Sequence, residues 1–249
     1  MSFSPDELSR YARHIVLREI GGPGQAKLKA ARVLIVGVGG LGSPAALYLA
    51  ASGVGTLGLF DDDVVSLSNL QRQILHDTAA VGISKVVSGA RSLARINPHI
   101  AVEGHEARLT PQDGADIVQG YDLVLDGTDN FDSRYVINRL CVAAKVPLIS
   151  AAMTQWEGQI SLYDPARGGP CYGCVFPQAP DADLAPSCAE AGVIGALGGV
   201  MGSMMAMEAI KHLTGAGETL DGSLLLYDAL YAETRRITVK RDPSCAACN

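Results

Sequence analysis

The stretch VLIVGVGGLGS, residues 33–43, decides the fold. An apolar run stops at Gly37, Gly39, Gly40 and Gly42, and a helical pattern starts at Ser43. That order is a strand, a glycine turn and a helix. The glycines divide the work: one permits the tight turn, one lets a phosphate approach the backbone, and one lets the helix pack near the strand. The helix N-terminus presents free N–H groups and a partial positive charge to an anion. Asp61 stands 24 residues after Gly37, at the end of the next apolar run, where a carboxylate takes ribose hydroxyls. A turn that serves packing alone is the bland alternative. The motif by itself does not separate NAD from ATP. A Walker loop is absent, because no Gly-Lys-Ser/Thr follows a glycine loop.

Outward from this turn the pattern alternates. Residues 5–20 read as a helix opened by Pro5 and Asp6 and closed by Gly21-Gly22. SPAALYLAASG (43–53), SKVVSGARSLARINP (84–98) and FDSRYVINRLCVAAK (131–145) read as helices. TLGLFDDD (56–63), IAVEGHEA (100–107), YDLVLDGTDN (121–130) and VPLISAA (146–152) read as strands. Strand and helix alternate through residue 152, which implies a parallel, doubly wound sheet. From residue 156 the pattern changes. GQISLYD (158–164), SLLLYDAL (223–230) and RRITVKRD (235–242) are later strands around one long helix. The expected fold is α/β: a Rossmann-like, doubly wound, mostly parallel sheet with an additional C-terminal β region. Residues 178–192 are rich in Pro and Asp and read as a mobile loop.

Composition excludes some partners. Of 249 residues, 48% are apolar, enough for the core of one large domain. The formal charge is −6 and no Lys/Arg run is longer than a pair, which argues against nucleic acid. GVIGALGGVMGSMMAM (192–207) carries no charge, yet its 16 residues fall short of the ~20 a spanning helix needs. It reads as a buried helix whose small residues allow close packing, so no membrane partner is expected. MSFSPDELSR at the N-terminus lacks the apolar core of a signal peptide, and a cytoplasmic location is expected.

The segment after Asp61 narrows the nucleotide. SNLQRQ supplies Asn69, Gln71, Arg72 and Gln73, and Lys85 begins the following helix. Cations and amides in this order suit a triphosphate better than a nicotinamide ring, although each alone is more often a solvated surface residue. Asp126 and Asp129 close a third strand at the carboxyl edge, where ligands bind in open sheets. A carboxylate beside phosphates implies Mg²⁺. The competing reading of Asp129 is the N-cap of the next helix, a role open also to Asn130 or Thr128.

Six cysteines fall into three groups. PCYGC and PSCAAC place Cys171 with Cys174 and Cys245 with Cys248. Two such knuckles predict a tetrahedral four-cysteine zinc site, structural because protein ligands fill all four positions. A redox dithiol is the rival reading, without a thioredoxin context. Cys188, in the polar APSCAEAG loop, is a candidate nucleophile or a bystander. Cys141 falls on an apolar helix face and reads as core.

Taken in order, GVGGLGS, FDDDVVSLSNLQRQ, GISKV, LDGTDN and the two CxxC pairs resemble the MoeB/ThiF/HesA adenylyltransferases, bacterial relatives of ubiquitin-activating enzymes. The resemblance runs from RYARHIVL to CAAC. It implies one adenylation domain over 1–249: an N-terminal helical arm (1–30), a nucleotide-binding half (31–155) and a carrier-binding half with the zinc site (156–249). It implies adenylation, with ATP and Mg²⁺, of the C-terminal Gly-Gly of a ubiquitin-like sulfur carrier, with release of pyrophosphate. Residue by residue, Gly40 and Gly42 cradle the nucleotide, Asp61 holds the ribose, Asn69 and Arg72 face the phosphates, Lys85 pairs with phosphate oxygens and Asp129 binds Mg²⁺. Arg13, in RYARH, matches an arginine that reaches into a partner subunit's site, so a homodimer is implied. Cys188 matches a loop cysteine that some relatives use in thioester or persulfide steps.

The chain departs from the pattern in two places. It has Asp61-Asp62-Asp63 where relatives often separate two acids by an apolar residue, so Asp63 could share the ribose. It ends at Asn249, just past the last knuckle, where longer relatives carry a rhodanese domain, and a separate sulfur donor is expected. The molybdopterin-synthase branch leads over the thiamine-thiazole branch. An NAD-dependent oxidoreductase is the distant alternative, disfavoured because His76, His99 and His105 sit in loops or at strand edges. A non-catalytic scaffold is disfavoured by the presence of Arg72, Lys85 and Asp129.

Overall fold

A computed structural model describes residues 2–112, 114–180 and 191–249. Cys188 and most of the loop read at 178–192 lie outside the described residues.

Helix α1 (Pro5–Ile15) starts on a capping box: Ser4 Oγ accepts the Glu7 N–H at 3.2 Å, and Glu7 Oε2 accepts the Ser4 N–H at 2.8 Å. The structure corrects one boundary here. Gly21 and Gly22 do not close a long helix; they open a second one, α2 (Gly21–Ala30). Gly21 takes φ +59°, which re-aims the chain, and Pro23 falls in the first turn, where helix N–H groups lack partners anyway.

Strand and helix then alternate as expected: β1 (Arg32–Val36), α3 (Gly42–Ser52), β2 (Thr56–Phe60), α4 (Lys85–Ile96), β3 (Ala101–His105), α5 (Gly114–Gln119), β4 (Leu123–Asp126), α6 (Phe131–Ala144) and β5 (Leu148–Thr154). After β6 (Glu157–Tyr163) come a one-turn helix α7 (Tyr172–Val175), the long α8 (Gly195–Thr214), β7 (Ser223–Asp228) and β8 (Glu233–Thr238). All eight strands join one sheet in the order β3-β2-β1-β4-β5-β6-β7-β8. The first five pair in parallel and the last three antiparallel. The strand order reverses between β1 and β4. The crevice at their carboxyl ends is where ligands bind in open α/β sheets.

Period-two alternation sends neighbours on β1 to opposite faces. Val33 and Ile35 join a core with Leu49, Leu57, Leu125 and Met201, while Leu34 and Val36 join another with Val124, Ile137 and Leu148. Helices α3, α4 and α8 cover the first face, and α5 and α6 the second. A strand covered on both sides reads as an unbroken apolar run, as residues 33–36 do.

Helix α8 begins with the charge-free segment and lies against the glycine turn itself. A Cβ on Gly202 would fall 2.4 Å from Leu41 O and 2.3 Å from Pro44 Cγ, and one on Gly198 2.7 Å from Gly40 O. Small residues are what allow this approach. No described helix is long and apolar enough to cross a membrane.

Candidate active site

The glycine turn forms one wall of a cleft and the residues after β4 form the other. A Cβ on Gly42 would sit 2.0 Å from Gly37 O, so only glycine lets α3 start this close to β1. Gly42 supports the turn from behind, while Gly39, Gly40 and Leu41 line the cleft.

Asp61 is tied to the turn. Its Oδ2 accepts the Val38 N–H at 2.8 Å and its Oδ1 accepts the Asp63 N–H at 3.0 Å. Lys85 Nζ lies 3.6 Å from Asp61 Oδ1 and 2.7 Å from Asp63 Oδ2. Burial pushes the Asp61 carboxyl up, opposed by Lys85 and the two amides. Lys85 is the first residue of α4 and its ammonium is buried at the cleft, the position a phosphate-binding cation needs. Asp63 is more open than Asp61 and already holds the lysine.

His76 is a residue that sequence reasoning set aside. It is buried between Ser88 Oγ, 3.0 Å from Nδ1, and the Val38 carbonyl, 3.0 Å from Nε2. A carbonyl only accepts, so Nε2 carries the proton and Nδ1 accepts from Ser88. Burial holds this imidazole below the ordinary range. His76 thus ties α4 to the glycine turn, and it is not free to act as an acid or base on a ligand. His105 is likewise engaged, stacked on Phe60 at 5.2 Å. No local pattern marks His76; its two partners come from elsewhere in the chain.

The SNLQRQ segment divides. Arg72 and Gln73 line the cleft, with Arg72 Nη1 donating to Ser68 O at 3.1 Å. Asn69 sits beside it and builds the local turn: its Oδ1 accepts the Ser66 N–H at 3.3 Å, and its carbonyl accepts the N–H groups of Arg72 and Gln73.

At and beyond the end of β4, three acceptors have distinct jobs. Asp126 is fully buried, and its oxygens accept from Thr128 Oγ1 at 2.7 Å, Thr128 N–H at 3.0 Å and Ser150 Oγ at 2.8 Å. It is a structural clasp. Asn130 caps α6 through the Ser133 N–H at 2.9 Å. Asp129 is therefore released from the capping role. It is exposed, lines the cleft and has no hydrogen-bond or ion-pair partner among the described residues. Arg134, which the sequence reading did not single out, also lines the cleft. It is 7% exposed, its Nη2 donates to Thr128 O at 2.9 Å, and its Nε–H lacks a partner. The visible signal for it was the polar i, i+5 spacing from Asp129 into the helix, which is too common to be decisive. Gln73 Oε1 is a second orphaned buried atom at the cleft. A nucleotide offers both kinds of partner: anionic phosphate oxygens for a guanidinium, and ribose hydroxyls or a base amine for an orphaned acceptor.

Arg13 lies far from this cleft in its own chain. Helix α1 is anchored at the opposite edge of the sheet, where Asn97 Nδ2 bridges Tyr11 Oη at 2.8 Å and Ala50 O at 2.7 Å. The cleft is at the other end of α3, roughly 16 Å away for an 11-residue helix. The Arg13 side chain is exposed.

The four paired cysteines converge. Cys171–Cys245, Cys171–Cys174 and Cys174–Cys248 sulfurs lie 3.6, 3.8 and 3.6 Å apart. Four sulfurs ~2.3 Å from a tetrahedral ion stand ~3.8 Å from one another, so the arrangement fits zinc. Asn138 Nδ2 lies 3.7 Å from Cys171 Sγ and orients it from outside the cluster. Cys141 is core, buried on α6.

Fold and cleft together define a doubly wound α/β domain with a polar cleft at its switch point, stapled by a cysteine cluster. The ThiF family profile matches residues 11–247, and the chain belongs to the ThiF family. It is 50% identical over 248 residues to the Adenylyltransferase and sulfurtransferase MOCS3 of Sus scrofa, covering 99% of this chain and 54% of that protein. It is 45% identical over 252 residues to the Sulfur carrier protein adenylyltransferase of Thermus thermophilus, covering 100% of this chain and 93% of that one. The chain spans about half the length of the pig relative. Among solved structures, E. coli MccB with ATP superposes with a TM-score of 0.83 at 26% identity, over 96% of this chain and 73% of that one.

Proposed function

We propose that this chain adenylates the C-terminal Gly-Gly carboxylate of a ubiquitin-like sulfur-carrier protein, using ATP and releasing pyrophosphate. The observation that carries the reading is the convergence of Arg72, Lys85 and Arg134 with the unpartnered Asp129 on the glycine turn. A carboxylate and a triphosphate repel each other, so neutralising charge is the main task. The carrier's carboxylate oxygen attacks the α-phosphorus, the bond to the bridging oxygen breaks, and pyrophosphate leaves with that electron pair. No general base is needed, because the nucleophile is already an anion. Lys85 and Arg72 hold phosphate oxygens, Gly40 lets them approach the backbone, and Asp61 takes the ribose from its fixed place beside Val38. Asn69 sets Arg72 by accepting its N–H. Asp129 would hold Mg²⁺, which would supply further positive charge to the triphosphate.

The proposal extends to a homodimer. Arg13 is exposed and anchored away from its own cleft, so it serves the partner's cleft. Arginine suits this task because its planar fork grips phosphate bidentately. Zinc in the cysteine cluster staples the C-terminal tail to the middle of the chain. The relatives named as sulfurtransferases and sulfur-carrier adenylyltransferases support the substrate class. Within it we favour the small subunit of molybdopterin synthase, in the cytoplasm, over the thiazole-pathway carrier.

The test is ATP–pyrophosphate exchange with each Gly-Gly carrier supplied separately. Exchange that depends on the molybdopterin-type carrier is expected. Exchange with the thiazole-type carrier alone would move the pathway, and none with either, despite ATP binding, would refute the reaction.

A further inference from the structure

The cysteine cluster and the nucleotide cleft share helix α6. Arg134 and Asn138 are four residues apart on it and so lie on one face. Asn138 holds the knuckle at two points: Oδ1 accepts the Tyr172 N–H at 3.0 Å and Nδ2 donates to Cys171 Sγ at 3.7 Å. This grip seats the Tyr172 ring among Tyr135, Tyr163 and Phe176, with centroids 5.5, 5.9 and 4.9 Å away.

The Tyr172 hydroxyl is buried without a hydrogen bond, and so is Arg134 Nε. The guanidinium lies beside the hydroxyl, near it but outside hydrogen-bond geometry. Neither group gains from this state. A phenylalanine would fill the same space without burying an orphaned oxygen, so packing does not account for the hydroxyl. Arg134 is also a buried cation that no carboxylate pairs within 4.0 Å among the described residues. Buried charge calls for an opposite charge, and the cleft is where one can enter.

We propose that Tyr172 is a positioning residue for the anion site: its hydroxyl accepts the Arg134 Nε–H when a phosphoryl group draws the guanidinium into the cleft. The cysteine knuckle then sets the angle at which Arg134 meets the substrate. This inference rests on the reading of the cleft as a triphosphate site.

The test is Tyr172→Phe, measured by calorimetric binding of pyrophosphate and of ATP alongside zinc content, melting temperature and exchange rate. Zinc content and melting temperature are expected to hold, while pyrophosphate affinity falls about tenfold, the size of one hydrogen bond to a charged group. In an Arg134→Lys background, which lacks Nε–H in that geometry, Tyr172→Phe is expected to cost nothing more. Unchanged pyrophosphate affinity in Tyr172→Phe overturns the proposal, as does full additivity of the two substitutions. Wild-type protein that binds neither ATP nor pyrophosphate overturns the reading of the cleft, and this inference with it. ATP binding without exchange overturns only the adenylation reaction, and the affinity comparison still decides the role of Tyr172.

Discussion

Asp126 and Asp129 are three residues apart, and their surroundings give them different work. Both oxygens of Asp126 are consumed by Thr128 and Ser150, whereas Asp129 keeps its carboxylate open to the cleft. Asp129→Ala is expected to lower exchange on the order of 10²–10³-fold, as loss of one preorganised charge does, with the melting temperature unchanged. Near-normal turnover in magnesium would refute its role. His76 supports a second expectation. Its folded pKa lies below the unfolded value of ~6.5. The neutral form is the folded one, so stability is complete above pH ~6.5 and falls as pH drops through that value. His212, also lowered by burial, adds to the same slope. Melting curves between pH ~5.5 and ~7.5 should show this decline, and His76→Gln should flatten it. An equal slope in the variant would remove His76 from the account.

At the scale of elements, α8 and the cysteine knuckle hold the site from outside it. Gly202 brings α8 within reach of Leu41 and Pro44, at the start of α3 beside the glycine turn. Gly202→Ala is expected to cost about 1–3 kcal/mol through overpacking and to raise the KM for ATP by shifting the turn. An unchanged KM at lower stability would separate the helix from the site. The cysteine knuckle acts on α6 through Asn138. Metal removal by a chelator is expected to lower the melting temperature by about 10 °C, a loss of roughly 2.5–5 kcal/mol at ~2–4 °C per kcal/mol in a chain of this length. A metal-free protein melting at the same temperature would refute the structural role.

At the scale of the whole molecule, the separation of Arg13 from its own cleft predicts active sites shared between subunits. Arg13→Ala and Arg72→Ala should each abolish exchange. Mixed by co-expression, they should recover about a quarter of wild-type activity, since half the dimers carry one intact site of two. An active Arg13→Ala enzyme would place Arg13 outside the chemistry, and no recovery in the mixture would place it in its own chain's site.

Features that depend on near neighbours are legible in the chain before it folds. The run of residues 33–36, the spacing of glycines, the alternation through residue 152 and the two CxxC pairs are local patterns, and local sterics and period-two burial translate them directly. The pattern misplaced the start of α2, where a glycine-rich opening resembles a helix end. Which groups stay free is settled by long-range packing alone. Ser150 takes an oxygen of Asp126; Val38 and Ser88 occupy His76; Asn138 links the cysteines to the face that carries Arg134. These assignments depend on hydrogen-bond partners far apart in the chain, and a donor or acceptor is used or spare only once the fold has brought its competitors together.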